Sequence, residues 1–505
     1  MEYQWLNKSV RIDSKLDGFR GTLYPFQHQG VAFLASVKRG LLLDKTGLGK
    51  TVQCIAAYDL LKTQKYPKLK IVVVTLASTQ IQWENEFQKF LPTAKVKAVI
   101  GHKSARRQIY SQFYTDELDG YIVNYSQLLH DMKLTNPKSY FNLNGIGEIP
   151  NSIRGQQYLL VLDEIQKCKN VSAKTSKSAL WLAERSLGVK GLTATPIYNH
   201  LVDIYGIFKL LDPNVFINKE NFKKQFCVLS YVWSIHGQIV GYKNHDKLRQ
   251  RIQHFVMGRT KKEVIKELPD LITQDYWIEL PDWHMRDYEF IVGGGHWKKD
   301  IEENIDPIGA IQRAQVCVNA IETLDDYDGK ESHPKLEEAL RLVQENLVGE
   351  NILIFSKFEK TISVLQKIFK SANIPFWRIT GKESAPQRAK ALKQFEELEN
   401  TDQTAVMGIT TAGGAGLNLQ SAGTLIMLDR PWSGGEIEQI RGRIHRIGTK
   451  YRSLLEINII AKDTIDEYVL ESLRKKAKHS SKVFGSGDAP ITIPEILEKI
   501  KRKNS

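Results

Sequence analysis

The sequence has few cysteines, no long hydrophobic run and no internal repeat among its 505 residues. Its four cysteines are scattered and form no C-x-x-C pair, which argues against a zinc site or a disulfide framework and indicates reduced interior thiols. The longest apolar runs, such as residues 71–76, are far shorter than the roughly 18 residues that span a bilayer, so we expect no membrane contact. The first residues lack a basic segment followed by an apolar one, so we expect an intracellular, soluble protein.

The chain carries a surplus of positive charge. Lysine and arginine total 71, whereas aspartate and glutamate total 57, which gives a net charge of +14. Such a surplus favours a polyanionic partner, most often nucleic acid, because basic side chains neutralise phosphates and release counterions. Many ordinary enzymes are also basic, so the charge alone does not decide the partner. The hydrophobic fraction of 42% excludes a collagenous or wholly disordered chain.

Short runs of β-branched and aliphatic residues alternate with longer amphipathic stretches. The clearest runs are residues 71–74, 121–123, 159–162, 352–355, 405–409 and 425–428. Continuous hydrophobic strands separated by helix-length segments are typical of parallel sheets that are covered on both faces. The sequence therefore predicts an α/β fold.

Two blocks of the chain carry these runs, and a different kind of sequence separates them. The separating stretch, residues 213–334, has fewer buried-strand signals and many charges, so we predict helical insertions and a linker there. The predicted domains are residues 1–212, 213–334 and 335–470, followed by a basic C-terminal tail, 471–505. A basic tail is most often a solvated segment, and a nucleic-acid contact is the second interpretation.

An apolar strand, a glycine-rich loop and a helix start follow one another in the first block. Gly47 and Gly49 can adopt backbone angles that let successive N–H groups surround a phosphate, and the helix start adds further donors. Lys50 can reach the β- and γ-phosphates, and the Thr51 hydroxyl can bind magnesium. Asp44 stands where the strict G-x-x-x-x-G-K-T pattern has its first glycine. The alternative interpretation is a simple glycine turn between a strand and a helix.

A phosphoryl-transfer site also needs a carboxylate for the metal ion at the end of a nearby strand, and a group that positions water. The hydrophobic run 159–162 ends in Asp163 and Glu164, which can fill these two roles in that order. Taken alone, an apolar strand that ends in Asp-Glu is more often an ordinary strand-end turn. Together with the glycine loop upstream, the pair favours an ATPase.

Further motifs follow in order along most of the chain. They read Y-P-F-Q at 24–27, D-E-I-Q at 163–166, L-T-A-T-P at 192–196, R-T-K-K-E-V at 259–264, T-A-G-G-A-G-L-N-L at 411–419, D-R-P-W at 429–432 and Q-I-R-G-R-I-H-R-I-G at 439–448. In this order they resemble the motifs of superfamily-two helicases and, more narrowly, of Swi/Snf-type DNA translocases. The resemblance implies two tandem RecA-like parallel-sheet lobes, residues 1–212 and 335–470, with short helical insertions between them.

The resemblance also implies that ATP binds with Mg²⁺ in a cleft between the lobes. The implied ATP-binding residues are Gln27, Asp44, Gly47, Leu48, Gly49, Lys50, Thr51 and Gly416. The implied catalytic residues are Lys50, Asp163, Glu164, Arg443 and Arg446. Thr51 and Asp163 would hold the magnesium ion, and the two arginines would stabilise charge on the γ-phosphate. Because the arginines belong to the other lobe, hydrolysis would require the cleft to close.

Contacts with double-stranded DNA are implied in the same way. The residues at the matching DNA-binding or coupling positions are Ser78, Thr193, Thr195, Thr411, Gly414, Asn418 and Gln439. Because phosphate contacts carry no base information, we expect little sequence specificity. We expect the protein wherever its DNA is, in the cytoplasm or the nucleus. One departure from the family's pattern is Gln166, where histidine is commoner, and it bears on how the state of ATP is relayed between the lobes.

Three functions are compatible with these motifs. The first is an ATP-dependent translocase that moves along duplex DNA without separating its strands, in replication, recombination or repair. The second is a strand-separating helicase on DNA or RNA, against which only family-level analogy argues. The third is a partner-activated subunit or a nucleic-acid-binding scaffold. The intact Lys50, Glu164 and Arg446 argue against a scaffold, but they do not argue against dependence on a partner.

Overall fold

The computed structural model describes most of the chain. The described residues are 16, 18–131, 157–194, 201–230, 238–264, 269–293, 295, 307–399, 401–414, 417, 419–446 and 449–473. The chain divides into two compact units, which meet in the sequence between Lys266 and Glu267. The predicted ATP-binding loop lies in the first unit, and the predicted arginines lie in the second.

Unit 1 is an α/β layer structure. Its helices are α1 (Pro25–Ser36), α2 (Lys50–Gln64), α3 (Gln80–Phe90), α4 (Lys103–Tyr114), α5 (Tyr125–Asp131), α6 (Lys174–Arg185), α7 (Asp203–Leu211), α8 (Lys219–Phe226), α9 (His245–Ile252) and α10 (Lys261–Val264). Its strands are β1 (Arg39–Leu42), β2 (Lys70–Thr75), β3 (Val96–Ala98), β4 (Gly120–Asn124), β5 (Tyr158–Asp163), β6 (Gly188–Leu192), β7 (Cys227–Ser230), β8 (Gln238–Tyr242) and β9 (Val256–Met257). Seven strands form one parallel sheet in the order β3-β4-β2-β5-β6-β1-β9.

The central strands of unit 1 are buried on both faces because helices cover the sheet on both sides. Along β2, Ile71 and Val73 enter one hydrophobic core, whereas Val72 and Val74 enter the core on the opposite face. This arrangement is what a continuous hydrophobic run in a parallel sheet requires, since alternate side chains point to opposite faces. The carboxyl ends of the parallel strands consequently meet at one edge, where ligands bind in open α/β sheets.

Unit 2 repeats this architecture. Its strands are β10 (Asp270–Ile278), β11 (Asn351–Phe355), β12 (Phe376–Ile379), β13 (Ala405–Ile409), β14 (Thr424–Met427) and β15 (Ser453–Ala461). Its helices are α11 (Asp282–Val292), α12 (Pro307–Ala320), α13 (Pro334–Asn346), α14 (Glu359–Ser371), α15 (Ala385–Glu397), α16 (Thr411–Gly414) and α17 (Gly434–Ile444). The six strands are parallel, in the order β10-β15-β14-β11-β13-β12. The predicted fold class, two parallel-sheet α/β lobes, is therefore confirmed.

The stretch between the predicted lobes differs from a purely helical insertion. It contains the antiparallel pair β7–β8, and β9 joins the sheet of unit 1. It also contains β10, an edge strand of unit 2 with many exposed side chains. An edge strand does not need a continuous hydrophobic run, so the hydrophobic pattern did not predict β10. The domain bounds given above stay a prediction.

The structure bears on two expectations from composition, which concern the cysteines and membrane-spanning segments. All four cysteines are buried and none forms a disulfide, which confirms the interior thiols. Burial raises the pKa of the Cys54 and Cys168 thiols to about 12, so both are protonated at neutral pH. In the part of the chain that the structure describes, no helix has both the length and the hydropathy to cross a membrane.

Candidate active site

The glycine loop lies at the carboxyl end of β1 and leads directly into α2. Gly47 and Gly49 have φ angles of 87° and 74°, a left-handed conformation that residues with a Cβ adopt at a cost. Gly49 is the residue immediately before α2, so the free N–H groups of the helix start lie at the end of this loop. A strand, a glycine loop and a helix start are therefore assembled as the sequence predicted.

The side-chain amides of Gln27 and Gln53 hold the glycine loop in place. Gln27 Nε2 and Gln53 Nε2 both donate to the backbone oxygen of Leu48, at 3.2 and 3.0 Å. Gln27 is itself held, because its Oε1 accepts from the backbone N–H of Tyr24 at 3.0 Å, just before α1. A Cβ added at Gly49 would lie 2.5 Å from Gln27 Nε2, so this close approach requires glycine. Gln27, one of the predicted ATP-binding residues, thus packs against the glycine loop.

Lys50 is the first residue of α2, and its side chain reaches back to Asp44. Its Nζ donates to the backbone oxygen of Asp44 at 2.8 Å. Burial lowers the pKa of Lys50, while the charges of Glu164, Asp44 and Asp163 raise it. The lysine therefore shares one electrostatic environment with both predicted catalytic carboxylates, although 113 or more residues separate it from them in the sequence.

Asp44 forms a buried ion pair that the sequence alone did not predict. Its side chain is fully buried, and its Oδ1 and Oδ2 accept from Arg259 Nε and Nη2 at 2.9 and 2.6 Å. Gln53 Nε2 donates to the same carboxylate at 2.9 Å. The pairing follows from sheet register: β9 runs beside β1 with Leu42 opposite Met257, so the residues two positions later face each other. The Asp44 carboxylate is thus satisfied inside the protein, and its part in ATP binding stays a prediction.

Asp163 ends β5, and its carboxylate is oriented by two donors. The Thr75 hydroxyl at the end of β2 and the Trp83 indole N–H on α3 both donate to Oδ2, at 2.8 and 2.9 Å. The Tyr125 hydroxyl donates to the backbone oxygen of Asp163 at 2.8 Å. The Trp83 side chain is buried, and its indole positions the predicted magnesium ligand.

Glu164 has a left-handed backbone conformation, with φ 53° and ψ 49°. Non-glycine residues in this region cost about 1–3 kcal/mol and are concentrated at functional sites. Gln166 Nε2 donates to Glu164 Oε2, whereas Gln166 Oε1 is buried with no hydrogen-bond partner among the described residues. Gln166, which stands where the family commonly has histidine, therefore contacts the predicted catalytic residue Glu164 directly.

Two predicted coupling residues lie at the same edge of the sheet. Thr193 follows β6, which lies between β5 and β1, and its backbone N–H donates to Leu42 O at 3.1 Å. Ser78 is exposed in the short 3₁₀ turn Ala77–Thr79, which follows β2. The strands therefore bring Thr193 and Ser78 to the edge that holds the phosphate loop and Asp163. Thr195 lies outside the described residues.

The residues predicted to hold magnesium fit such an ion chemically. Thr51 supplies a hydroxyl on the first turn of α2, and Asp163 supplies a carboxylate of which Oδ2 already accepts two hydrogen bonds. In the described part of the chain, no group of three or more His, Cys, Asp or Glu side chains is clustered as a metal site. Magnesium in nucleotide sites commonly takes one or two carboxylates and completes its shell with phosphates and water. The Thr51 hydroxyl and the Asp163 carboxylate therefore match the small number of protein ligands that magnesium needs in such a site.

The remaining predicted residues belong to unit 2. Gln439 and Arg443 lie on α17, and Arg446 follows that helix. Arg443 Nη1 donates to Leu417 O at 3.4 Å, and Arg446 Nε donates to Gly442 O. The Gly442 and Leu417 carbonyls hold these arginines near the end of α17. Two further predicted residues start and end α16: Thr411 is exposed, and Gly414 is buried. The predicted Gly416 and Asn418, and the basic sequences at 474–476 and 501–503, lie outside the described residues.

Comparison with known families gives two matches. The family model "SNF2-related domain" matches residues 26–322, and "Helicase conserved C-terminal domain" matches residues 334–448. A Mycoplasma pneumoniae protein described as an uncharacterized ATP-dependent helicase is 28% identical over 484 residues, which are 92% of this chain and 42% of the relative. The transcription regulatory protein SNF2 of Saccharomyces cerevisiae is 23% identical over 498 residues, which are 92% of this chain and 28% of the relative.

Among solved structures, the SWI2/SNF2 ATPase core of Sulfolobus solfataricus in complex with dsDNA is similar over 96% of both chains. The sequence identity is 22% and the TM-score is 0.42. The curated relatives are longer: this chain spans 42% of the M. pneumoniae protein and 41% of a similar Mycoplasma genitalium helicase.

Proposed function

Because the chain belongs to the SNF2-related family of superfamily-two, helicase-like ATPases, we propose that it hydrolyses ATP to move along double-stranded DNA. One observation supports this most directly. The glycine loop with Lys50 follows β1, Asp163 ends β5 and the exposed turn Ala77–Thr79 follows β2, so all three lie at the carboxyl edge of the unit 1 sheet. The groups needed for hydrolysis therefore lie beside a loop that is suited to contacting a phosphate backbone.

In this function the predicted site residues of unit 1 have separate roles. The N–H groups of the glycine loop and α2 bind the phosphates, and Lys50 neutralises their charge. Thr51 and Asp163 hold Mg²⁺, which supplies charge neutralisation at the phosphates when it is bound. Glu164 orients the attacking water and accepts its proton, and Gln166 holds the Glu164 carboxylate for that task.

The arginines of unit 2 complete the proposed reaction. Arg443 and Arg446 act on charge that develops at the γ-phosphate, so turnover requires the two units to close on the nucleotide. Opening and closing during each cycle then moves the enzyme along the duplex. We further propose a role in replication, recombination or repair, on the ground that the segment between the lobes is short. The SNF2-family membership favours duplex DNA as the track.

The test is steady-state ATP hydrolysis without nucleic acid and with linear duplex DNA, single-stranded DNA or RNA. We expect duplex DNA to stimulate turnover most strongly. The Glu164→Gln variant should lose at least about 100-fold in turnover, the size expected for a general base, and should keep its affinity for duplex DNA. Lys50→Ala should instead weaken ATP binding. Glu117→Gln is the matched control, because Glu117 is exposed near the opposite edge of the sheet.

Two results would contradict the proposal. Stimulation by a single strand rather than by duplex would favour a strand-separating helicase, on RNA if RNA were the better activator. Turnover restored only by a cell extract would favour a partner-activated subunit. Movement itself is measured by displacement of the third strand from a DNA triplex, an assay that does not require the duplex to be unwound.

A further inference from the structure

The carboxylate of Asp163 is connected by hydrogen bonds to the turn that is predicted to contact DNA. Thr75 Oγ1 donates to Asp163 Oδ2 at 2.8 Å, and it lies 2.7 Å from Thr79 Oγ1. Thr79 is the last residue of the Ala77–Thr79 turn, whose Ala77 and Ser78 are exposed. Two threonine hydroxyls therefore bridge the predicted magnesium ligand and the surface of the protein.

The number of hydroxyl protons gives this bridge a direction. Each threonine hydroxyl carries one hydrogen, so Thr75 cannot donate to Asp163 and to Thr79 together. When Thr75 donates to Asp163, any hydrogen bond between the two threonines must therefore be donated by Thr79. Thr79 Oγ1 has a second acceptor within reach, the Leu76 carbonyl oxygen of its own turn, at 3.1 Å. The Thr79 hydroxyl can thus donate either to the Leu76 carbonyl oxygen or to Thr75 Oγ1, and the geometry of the turn determines which bond forms.

The indole of Trp83 belongs to the same connection. It lies on α3, which begins at Gln80 directly after the turn, and it donates to the same Asp163 oxygen. The start of α3 is anchored, because the Gln80 side-chain amide donates to the backbone oxygens of Val99 and Ile122, at 3.2 Å each. Because Gln80 holds the start of α3, the Trp83 indole is a fixed donor to Asp163, and a shift of the exposed turn acts on the carboxylate through Thr79 and Thr75.

We propose that Thr75, Thr79 and Trp83 form a relay by which duplex DNA bound at the Ala77–Thr79 turn orients the Asp163 carboxylate and so accelerates ATP hydrolysis. The proposal rests on the proposed function, and it adds how DNA stimulation reaches the nucleotide site. The three side chains are positioning residues: they act through Asp163 rather than on the nucleotide.

The test compares the ratio of ATP turnover with duplex DNA to turnover without it. Thr75→Val keeps the shape of the side chain and removes the donor, and Trp83→Phe removes the indole N–H. Each should lower the ratio by about tenfold, the size of one hydrogen bond to a charged group. Thr75→Ser keeps the hydroxyl and should keep the ratio. Duplex affinity should not change in Thr75→Val, because Thr75 is buried behind the turn.

Tyr125→Phe is the matched control. Tyr125 is also buried and also donates to Asp163, but to its backbone oxygen. It should therefore lower stability without changing the stimulation ratio. A normal ratio in Thr75→Val, or an equal loss in Thr75→Ser and Thr75→Val, would overturn the relay. If wild-type protein were not stimulated by duplex DNA at all, the proposed function itself would fail, and the two failures are therefore distinguishable.

Discussion

The Asp44–Arg259 pair is the residue-scale feature with the clearest energetic consequence. Both side chains are at least nine-tenths buried, and Arg259 also donates to Phe26 O and to Gln53 Oε1. Arg259→Ala would leave the Asp44 carboxylate buried without its partner. We expect the free energy of unfolding of unit 1 to fall by about 3–5 kcal/mol, the usual cost of breaking a buried pair. Urea denaturation measures this change.

An exposed ion pair of the same unit provides the control for this prediction. Lys97 Nζ lies 3.4 Å from Glu84 Oε1, and the Lys97 side chain is 54% exposed. Lys97→Ala should therefore change the unfolding free energy by less than about 1 kcal/mol. Arg259→Lys should fall between the two, because an ammonium group cannot reproduce the fork that contacts both carboxylate oxygens. Equal effects of Arg259→Ala and Lys97→Ala would contradict the importance of the buried pair.

At the scale of a single element, β6 places a lysine in the middle of a buried strand. Lys190 is 1% exposed, and its Nζ donates to the backbone oxygens of Val37 and Lys38. Burial lowers the pKa of Lys190 from 10.5 to about 7. Between these two values the unfolded chain binds more protons than the folded one, so stability rises with pH.

We therefore expect the unfolding free energy of unit 1 to gain about 2 kcal/mol between pH 7 and pH 9 from Lys190 alone. Lys190→Met removes the titrating group and should lack this gain, while being the more stable protein below pH 7. The measurement is the difference in urea midpoint between wild type and variant at pH 6, 7, 8 and 9. A difference that does not change with pH would mean that Lys190 is protonated throughout the range.

At the scale of the whole molecule, the predicted catalytic groups are divided between two units. Lys50 and Glu164 belong to unit 1, whereas Arg446 belongs to unit 2. In the proposed reaction Arg446 acts mainly on the transition state, so Arg446→Ala should lower kcat by about 100-fold or more with little change in ATP affinity. ATP affinity is measured by fluorescence titration, and kcat by steady-state hydrolysis. A large loss of ATP affinity instead would make Arg446 a ligand of the ground state.

The sequence by itself determined the features that depend on neighbouring residues. Hydrophobic runs predicted six strands of the two parallel sheets, because a strand covered on both faces must be apolar at every position. The glycine loop was predictable for a similar reason, since Gly47 and Gly49 supply left-handed backbone angles at the start of a helix. The edge strands β9 and β10 have no such run, because β9 has only two residues and many side chains of β10 are exposed.

Only the tertiary structure decided which distant groups meet at the candidate site. Arg259 pairs with Asp44 across 215 positions because β9 lies beside β1 in a fixed register. Thr75 reaches Asp163 because β2 and β5 are neighbours in the sheet. Sequence patterns report local backbone preference and burial, whereas these contacts depend on strand order and register. Strand order is set by how the elements of the whole unit pack together, so no local pattern could have specified which of these distant residues meet.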